Sequence, residues 1–288
     1  MSDLAPPAVV VTGASSGIGR ATALLLAREG YRVYAGVRRE EDAAALTRSA
    51  DGALLPLLLD VTRPDVVADV AHRLEAELGA SGLHGLVNNA GVVVAAPLEL
   101  VPLEDVREQF EVNVTGTLAV TQALIPLLRR APGRIINIGS VSGSVSTPFT
   151  GPYNASKFAL RAMTDALRLE LAPWGIGVSI IEPGSVRTPM WQQSLGRIQL
   201  LERRLPARAT QLYGPAFTRM RQFIEAARGI PPETVAAVIV AALRSPRPRP
   251  YYPVGRDARL RLALVRLPTR VRDFLITTQL PKYPAPDR

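Results

Sequence analysis

Residues 12–19 read Thr-Gly-Ala-Ser-Ser-Gly-Ile-Gly, and this stretch decides the fold. It follows Ala8-Val9-Val10-Val11, a short apolar run of buried-strand type, and leads into a helical pattern over residues 21–29. A strand, a tight glycine turn and a helix in that order open a parallel α/β sheet. Glycines let the backbone turn sharply and approach a pyrophosphate, which then rests on the amide groups of the helix N-terminus. Gly13, Gly17, Ile18 and Gly19 would supply the backbone, and Ser15 and Ser16 small hydroxyls beside it. The spacing is G-x-x-x-G-x-G rather than the more general G-x-G-x-x-G.

The same rhythm runs outward from this loop. Strands are predicted over 32–36, 54–59, 83–87, 134–138 and 177–182. Between them, helix 63–78 repeats Val67, Val70, Leu74 and Leu78, and a long helix covers 103–128. A third helix over 153–174 is stopped by Pro173 and Gly175, and the strand after it by Pro183-Gly184. The expectation is one doubly wound parallel sheet over residues 1–288, with no linker and no repeat. Residues 188–228 carry no strand signal. An insertion there, after the sixth strand at the carboxyl edge, suits a substrate lid over 188–230; a packed helical excursion is the alternative.

Composition removes whole classes of chemistry. There is no cysteine, which excludes disulfides, zinc ribbons and thiol nucleophiles. His72 and His84 are the only histidines, too few for a three-histidine metal site, so no metal is expected. The N-terminus lacks a basic region and reaches a strand at once, unlike a signal peptide. No apolar run approaches the roughly 20 residues of a membrane span, and the expected compartment is cytoplasmic.

The net charge is +9, but the stretch from Arg244 to Arg288 holds ten Arg and one Lys against three Asp. The body is therefore nearly neutral and shows no nucleic-acid footprint. Within the basic extension 245–288, Leu260, Leu264, Leu267, Val271 and Phe274 recur at helical spacing among Arg259, Arg266, Arg270 and Arg272, with Pro268 dividing the run. Such helices either cover the domain or a partner subunit with arginines outward, the favoured reading, or lie on an anionic membrane.

At the end of the second strand stand Val37, Arg38, Arg39 and Glu40. A carboxylate at the Val37 position would grip ribose hydroxyls and repel a 2′-phosphate, whereas a guanidinium binds one through charge-assisted bonds. NADP(H) is thus favoured through Arg38, with NAD(H) left open.

Tyr153 and Lys157 lie four apart on one helix face. A phenol ordinarily titrates near pH 10, and a cation beside it favours the phenolate. Ser140, just past the strand 134–138, faces the crevice at the strand tips, where it can hold a substrate oxygen.

Taken in order, TGASSGIG at 12–19, NNAG at 88–91, Asn113, Ser140, YNASK at 153–157 and PGSVRT at 183–188 resemble the short-chain dehydrogenase/reductases. The resemblance implies a nicotinamide-dependent oxidoreductase acting on a carbonyl or alcohol, with Tyr153 as acid/base and Lys157, Ser140 and Asn113 assisting. It also implies that Asn113 organises a proton relay from Lys157, that Asn88, Ala90 and Gly91 lie along the adenosine ribose, and that Asp60 and Val61 meet adenine. Lys157 would also bond the nicotinamide ribose, Val186 and Thr188 would meet the carboxamide, and Pro183 and Gly184 would contact the cofactor. A homodimer or homotetramer is expected on the same ground. The wording SVSG…TPF…YNASKFAL is similar to the branch that handles hydroxysteroids and retinoids, with Val141, Phe149, Met190 and Trp191 as apolar pocket candidates. A dinucleotide sensor without turnover is the reading from another class; it leaves Tyr153 without a task.

Overall fold

The strands carry their side chains alternately to two faces, and both faces are buried. In the computed structural model, which describes residues 6–226 and 229–278, seven strands form one parallel sheet. They are β1 (Ala8–Val11), β2 (Arg32–Val37), β3 (Leu54–Leu58), β4 (Gly85–Asn88), β5 (Arg134–Ile138), β6 (Gly177–Pro183) and β7 (Tyr251–Val254). Their order across the sheet is β3-β2-β1-β4-β5-β6-β7. The chain winds outward from β1 in one direction and then returns to β4 on its other side. That reversal opens a crevice at the carboxyl ends of β1 and β4.

Helices α1 (Gly17–Arg28), α2 (Glu40–Arg48), α3 (Pro64–Leu78), α4 (Leu103–Phe110), α5 (Gly116–Arg130), α6 (Gly151–Leu171) and α9 (Pro232–Arg244) accompany the sheet. On one face Val10, Leu86, Ile135 and Val178 pack against Val67, Val70 and Leu74 of α3 and Val120, Leu124 and Leu128 of α5. On the other, Val9, Val11, Val33, Ile136 and Ile181 meet Ala23 and Leu26 of α1 and Val235 and Ile239 of α9. Each buried Leu or Ile contributes about 1.5–3 kcal/mol. These two aliphatic layers fix the sheet and hence the crevice.

Three features extend or correct the sequence reading. First, α2, α9 and β7 carried too little periodic signal to be read. Tyr251-Tyr252-Pro253-Val254 emerges from a proline-rich stretch and contains a proline, which the edge position of β7 accommodates. Second, the long helix expected over 103–128 is divided by a π-helical turn at Glu111–Thr115, centred on Asn113. Third, the strand-free stretch forms α7 (Pro189–Arg204) and α8 (Ala207–Ala226), and the basic extension forms α10 (Arg256–Leu264) and α11 (Thr269–Thr277), divided at Pro268 as expected. Met1–Ala5, where the leader was considered, and residues 279–288 of the extension lie outside the described residues.

Candidate active site

The loop between β1 and α1 is shaped by what glycine permits. Gly13 has φ +64°, and a Cβ there would come 2.8 Å from Ala90 Cα. At Gly19 a Cβ would stand 2.3 Å from both Asn89 Nδ2 and the Gly13 carbonyl oxygen. The loop is therefore folded tightly against the end of β4. Asn89 fastens it, donating from Nδ2 to the carbonyls of Thr12 (2.9 Å) and Gly13 (3.0 Å). Thr12 Oγ1 in turn accepts from the backbone N–H of Asn89 and of Ala90, both at 3.0 Å. No side-chain bond caps α1, so its first amides open onto the cleft.

Most residues expected at a dinucleotide line this cleft: Gly13, Ser15, Ser16, Gly17, Ile18, Arg38, Asp60, Val61, Ala90, Gly91, Pro183, Gly184, Val186 and Thr188, together with Ser140, Tyr153 and Lys157. Gly19 stands behind the loop as the close-packing position. Asn88 does not reach the cleft: its side chain is buried and donates to Thr121 Oγ1 and Asn137 Oδ1, both at 2.9 Å. Its neighbour Asn89 lines the cleft instead. Side chains alternate along a strand, so a shift of one residue exchanges core for crevice.

The two arginines after β2 have separate fates. Arg39 is engaged with Asp42 through Nε (2.8 Å) and Nη2 (2.9 Å). Arg38 lines the cleft and makes no hydrogen bond or ion pair among the described residues. Val37, beneath it, is buried at the end of β2. A cradle shaped by glycine, open helix amides and a free guanidinium beside the β2 end together suit the phosphates of a dinucleotide.

The reactive groups gather at the tips of β4, β5 and β6. Ser140 follows β5 and starts a tight turn, Val141–Gly143, its Oγ accepting from the Ser142 N–H at 3.1 Å. Tyr153 lies in the first turn of α6 and Lys157 one turn later; both are buried. Lys157 Nζ donates to the Ile138 carbonyl at 2.7 Å and stands 5.8 Å from the centre of the Tyr153 ring. Burial pulls the Lys157 ammonium down to about 8 and pushes the Tyr153 phenol up, while the Ser140 hydroxyl pulls the phenol back down. The phenol thus stays protonated at neutral pH in the free protein, poised as a donor.

Asn113 is buried in the π-helical turn. Its Oδ1 accepts from Val92 N (2.9 Å), and its Nδ2 donates to Val92 O and to Ser156 Oγ, both at 3.1 Å. Ser156 Oγ donates to the Tyr153 carbonyl at 2.8 Å. Asn113 therefore braces the turn of α6 that carries Tyr153 against the strand-end loop. Local π-helix of this kind is frequent at functional sites.

A second cavity, of about 500 Å³, adjoins the first. Ser140 and Tyr153 line both. Val141, Phe149 and Trp191, three of the expected apolar residues, line this cavity, and the fourth, Met190, lines the cleft. Trp191 meets the Tyr153 ring edge-on at 6.0 Å. Phe149 holds φ +66°, a conformation costing a bulky residue about 1–3 kcal/mol. The region expected as a lid contributes Ala216, Arg219, Met220 and Ile224 from α8, and Arg261 from α10 and Ile276 from α11 join them without a sign in the sequence. The insertion roofs the site, since Ile198, Phe217, Met220 and Ile224 form one buried cluster with Tyr153.

The basic extension is seated on the site as well. Asp257 Oδ2 accepts from Ser185 N at 2.7 Å, holding α10 against the loop after β6. Its outer face differs: Leu260 is 68% and Phe274 66% exposed. His84 sits at the opposite sheet edge, its Nδ1 accepting from Ala8 N, far from this chemistry. No helix among the described residues is long and apolar enough to cross a membrane.

Known proteins share this fold. The family model for short chain dehydrogenases matches residues 7–197. The chain belongs to the short-chain dehydrogenase/reductase family. It is 39% identical over 285 residues to retinol dehydrogenase 5 of Mus musculus, covering 95% of this chain and 89% of that protein. It is 34% identical to 17-beta-hydroxysteroid dehydrogenase type 6 of Homo sapiens, covering 98% and 91%. A crystal structure of a short-chain dehydrogenase from Streptomyces avermitilis superposes with a TM-score of 0.75 at 28% identity, over 91% of this chain and 92% of that one. The protein is thus an NAD(P)-dependent oxidoreductase of the hydroxysteroid/retinol dehydrogenase-like branch, interconverting carbonyls and alcohols.

Proposed function

We propose that the protein interconverts a lipophilic ketone or aldehyde and its alcohol using NADP(H), with Ser140, Tyr153 and Lys157 as catalytic residues and Asn113 positioning them. The observation that carries this reading is the placement of Ser140 and Tyr153 on the wall common to the cleft and the cavity. A nicotinamide dinucleotide held in the cleft by the glycine loop, Arg38 and Lys157 would supply the hydride for the carbonyl carbon, or accept it in the reverse direction. Ser140 donates a hydrogen bond to the substrate oxygen and holds it beside Tyr153 Oη. In the reducing direction Tyr153 gives its proton to that oxygen as negative charge develops there; in the oxidising direction it takes the proton back. Lys157, fixed by the Ile138 carbonyl, keeps a positive charge near the phenol and stabilises the phenolate left behind. Trp191, Met190 and the α8 side chains keep water from the reacting carbon.

NADP(H) is supported by Arg38, free at the end of β2 while Arg39 is held by Asp42, and by the missing carboxylate at Val37. The test is loss of NADPH absorbance against a panel of apolar ketones and aldehydes, repeated with NADH. Turnover preferring NADPH supports the proposal. Equal use of both cofactors removes the phosphate role of Arg38, and tight cofactor binding without turnover of any carbonyl would favour a sensor.

The exposed Leu260 and Phe274, flanked by exposed Arg259, Arg266 and Arg270, support a second role: contact of the extension with an anionic lipid surface. Vesicles rich in phosphatidylserine should sediment the wild type and lose it after Leu260→Ser and Phe274→Ser.

A further inference from the structure

The substrate cavity is apolar along most of its wall, with the reacting groups Ser140 and Tyr153 at one part of it. Two of its lining residues are out of character. Arg219 projects from α8 and Arg261 from α10, elements that meet at this cavity and are 42 residues apart in the chain. Among the described residues no acidic side chain lines the cavity, and neither arginine makes a hydrogen bond or an ion pair. Arg221, also on α8, is by contrast paired with Glu202. Arg219 is exposed and Arg261 half-buried, so both belong to the mouth rather than to the floor. A solvated surface arginine needs no partner, but two lining one predominantly apolar cavity make its entrance positive, while Asp257, one turn before Arg261, is engaged by the Ser185 N–H.

From this we infer that the substrate is an amphipathic carbonyl or alcohol whose far end bears a carboxylate, the reacting carbon lying at Ser140 and Tyr153 and the anion between Arg219 and Arg261. Guanidinium groups bind carboxylates through paired, charge-assisted hydrogen bonds, and the apolar wall between the two ends accepts a hydrocarbon body. The inference rests on the proposed carbonyl chemistry for its orientation, but the anion site can be tested without turnover.

The probes are a twelve-carbon ω-oxo fatty acid and its methyl ester. Binding of each is measured by calorimetry to the full chain saturated with NADP⁺, and reduction of each is then followed with NADPH. The acid should bind about ten-fold more tightly than the ester, the worth of one charge-assisted bond. The preference should shrink as salt is raised. Arg219→Gln combined with Arg261→Gln should abolish it by weakening the acid far more than the ester. Arg261→Lys should restore part of it. Equal binding of acid and ester by the wild type, or equal weakening of both in the variants, would overturn the inference. So would variants that lose phosphatidylserine vesicles while keeping the acid preference, since the arginines would then serve a lipid surface. Preferential binding of the acid without reduction of either probe would uphold the anion site and reject the hydride-transfer reading instead.

Discussion

The cofactor cleft and the substrate cavity share a wall, yet they are made from different material. The cleft is lined largely by backbone and small side chains at the tips of β1, β2, β4 and β5, brought together by the sheet. The cavity takes its outer wall from side chains of α7, α8, α10 and α11, elements added after β6. A phosphate is the same in every dinucleotide, so its site can be rigid and built from amides. A substrate differs from enzyme to enzyme, and the part that must change is carried by elements whose loss would leave the sheet intact. Tyr153 belongs to both regions, and the contrast meets at its phenol.

The comparison can be broken at several points. The largest effect is expected at Gly19, where even one methyl collides with the Gly13 carbonyl. Gly19→Ala should destabilise the protein by about 3 kcal/mol and abolish cofactor binding, checked by thermal unfolding and NADPH fluorescence. No single alanine replacement among Met220, Ile224 and Ile276 should affect cofactor binding at all.

Lys157 comes next, with opposite effects on activity and stability. Its ammonium is pulled from the ordinary 10.5 to about 8 by burial. Below pH 8 both folded and unfolded chains carry the proton, and the fold bears the full cost of burying it. That cost is relieved as the pH rises from about 8 to 10.5, where the unfolded chain still holds the proton and the folded one does not. Lys157→Met should therefore stabilise the protein at pH 7 by up to about 3 kcal/mol, measured by urea unfolding, while removing most activity. For the wild type, kcat/KM should fall above about pH 8 as the ammonium is lost, and a profile flat to pH 10 would exclude a role for its charge.

Arg38→Ala sharpens the cofactor side. NADPH affinity should drop about thirty-fold, the worth of roughly 2 kcal/mol in charge-assisted bonds, with NADH affinity nearly unchanged. The smallest effect is expected at the outer face of the extension: Phe274→Ser should alter kcat and stability by less than about 0.5 kcal/mol equivalent.

How much of this was legible follows the same division. The phosphate loop, Ser140 and the Tyr153–Lys157 pair occupy short contiguous stretches beside strong strand signals, and they converge as expected. Asn89 was missed in favour of Asn88 because the sequence does not state which of two adjacent asparagines ends the strand. The π-helical turn was hidden because apolar spacing continues through it from Leu103 to Leu128. Arg219, Arg261 and Ile276 were invisible as a group: they approach one another only after α8, β7 and α10 have packed, and no local period links them. β7 was lost to the proline that its edge position allows.

The central claim is that the Tyr153 phenol delivers the proton at the wall between cleft and cavity. Tyr153→Phe keeps the ring, its packing on Trp191 and the lining of both spaces, and removes only the hydroxyl. NADPH binding, read by fluorescence, and carbonyl reduction, read by absorbance, should be measured on the same sample. The account predicts unchanged binding with turnover reduced by roughly 10²–10⁴-fold; turnover equal to that of the wild type would contradict it.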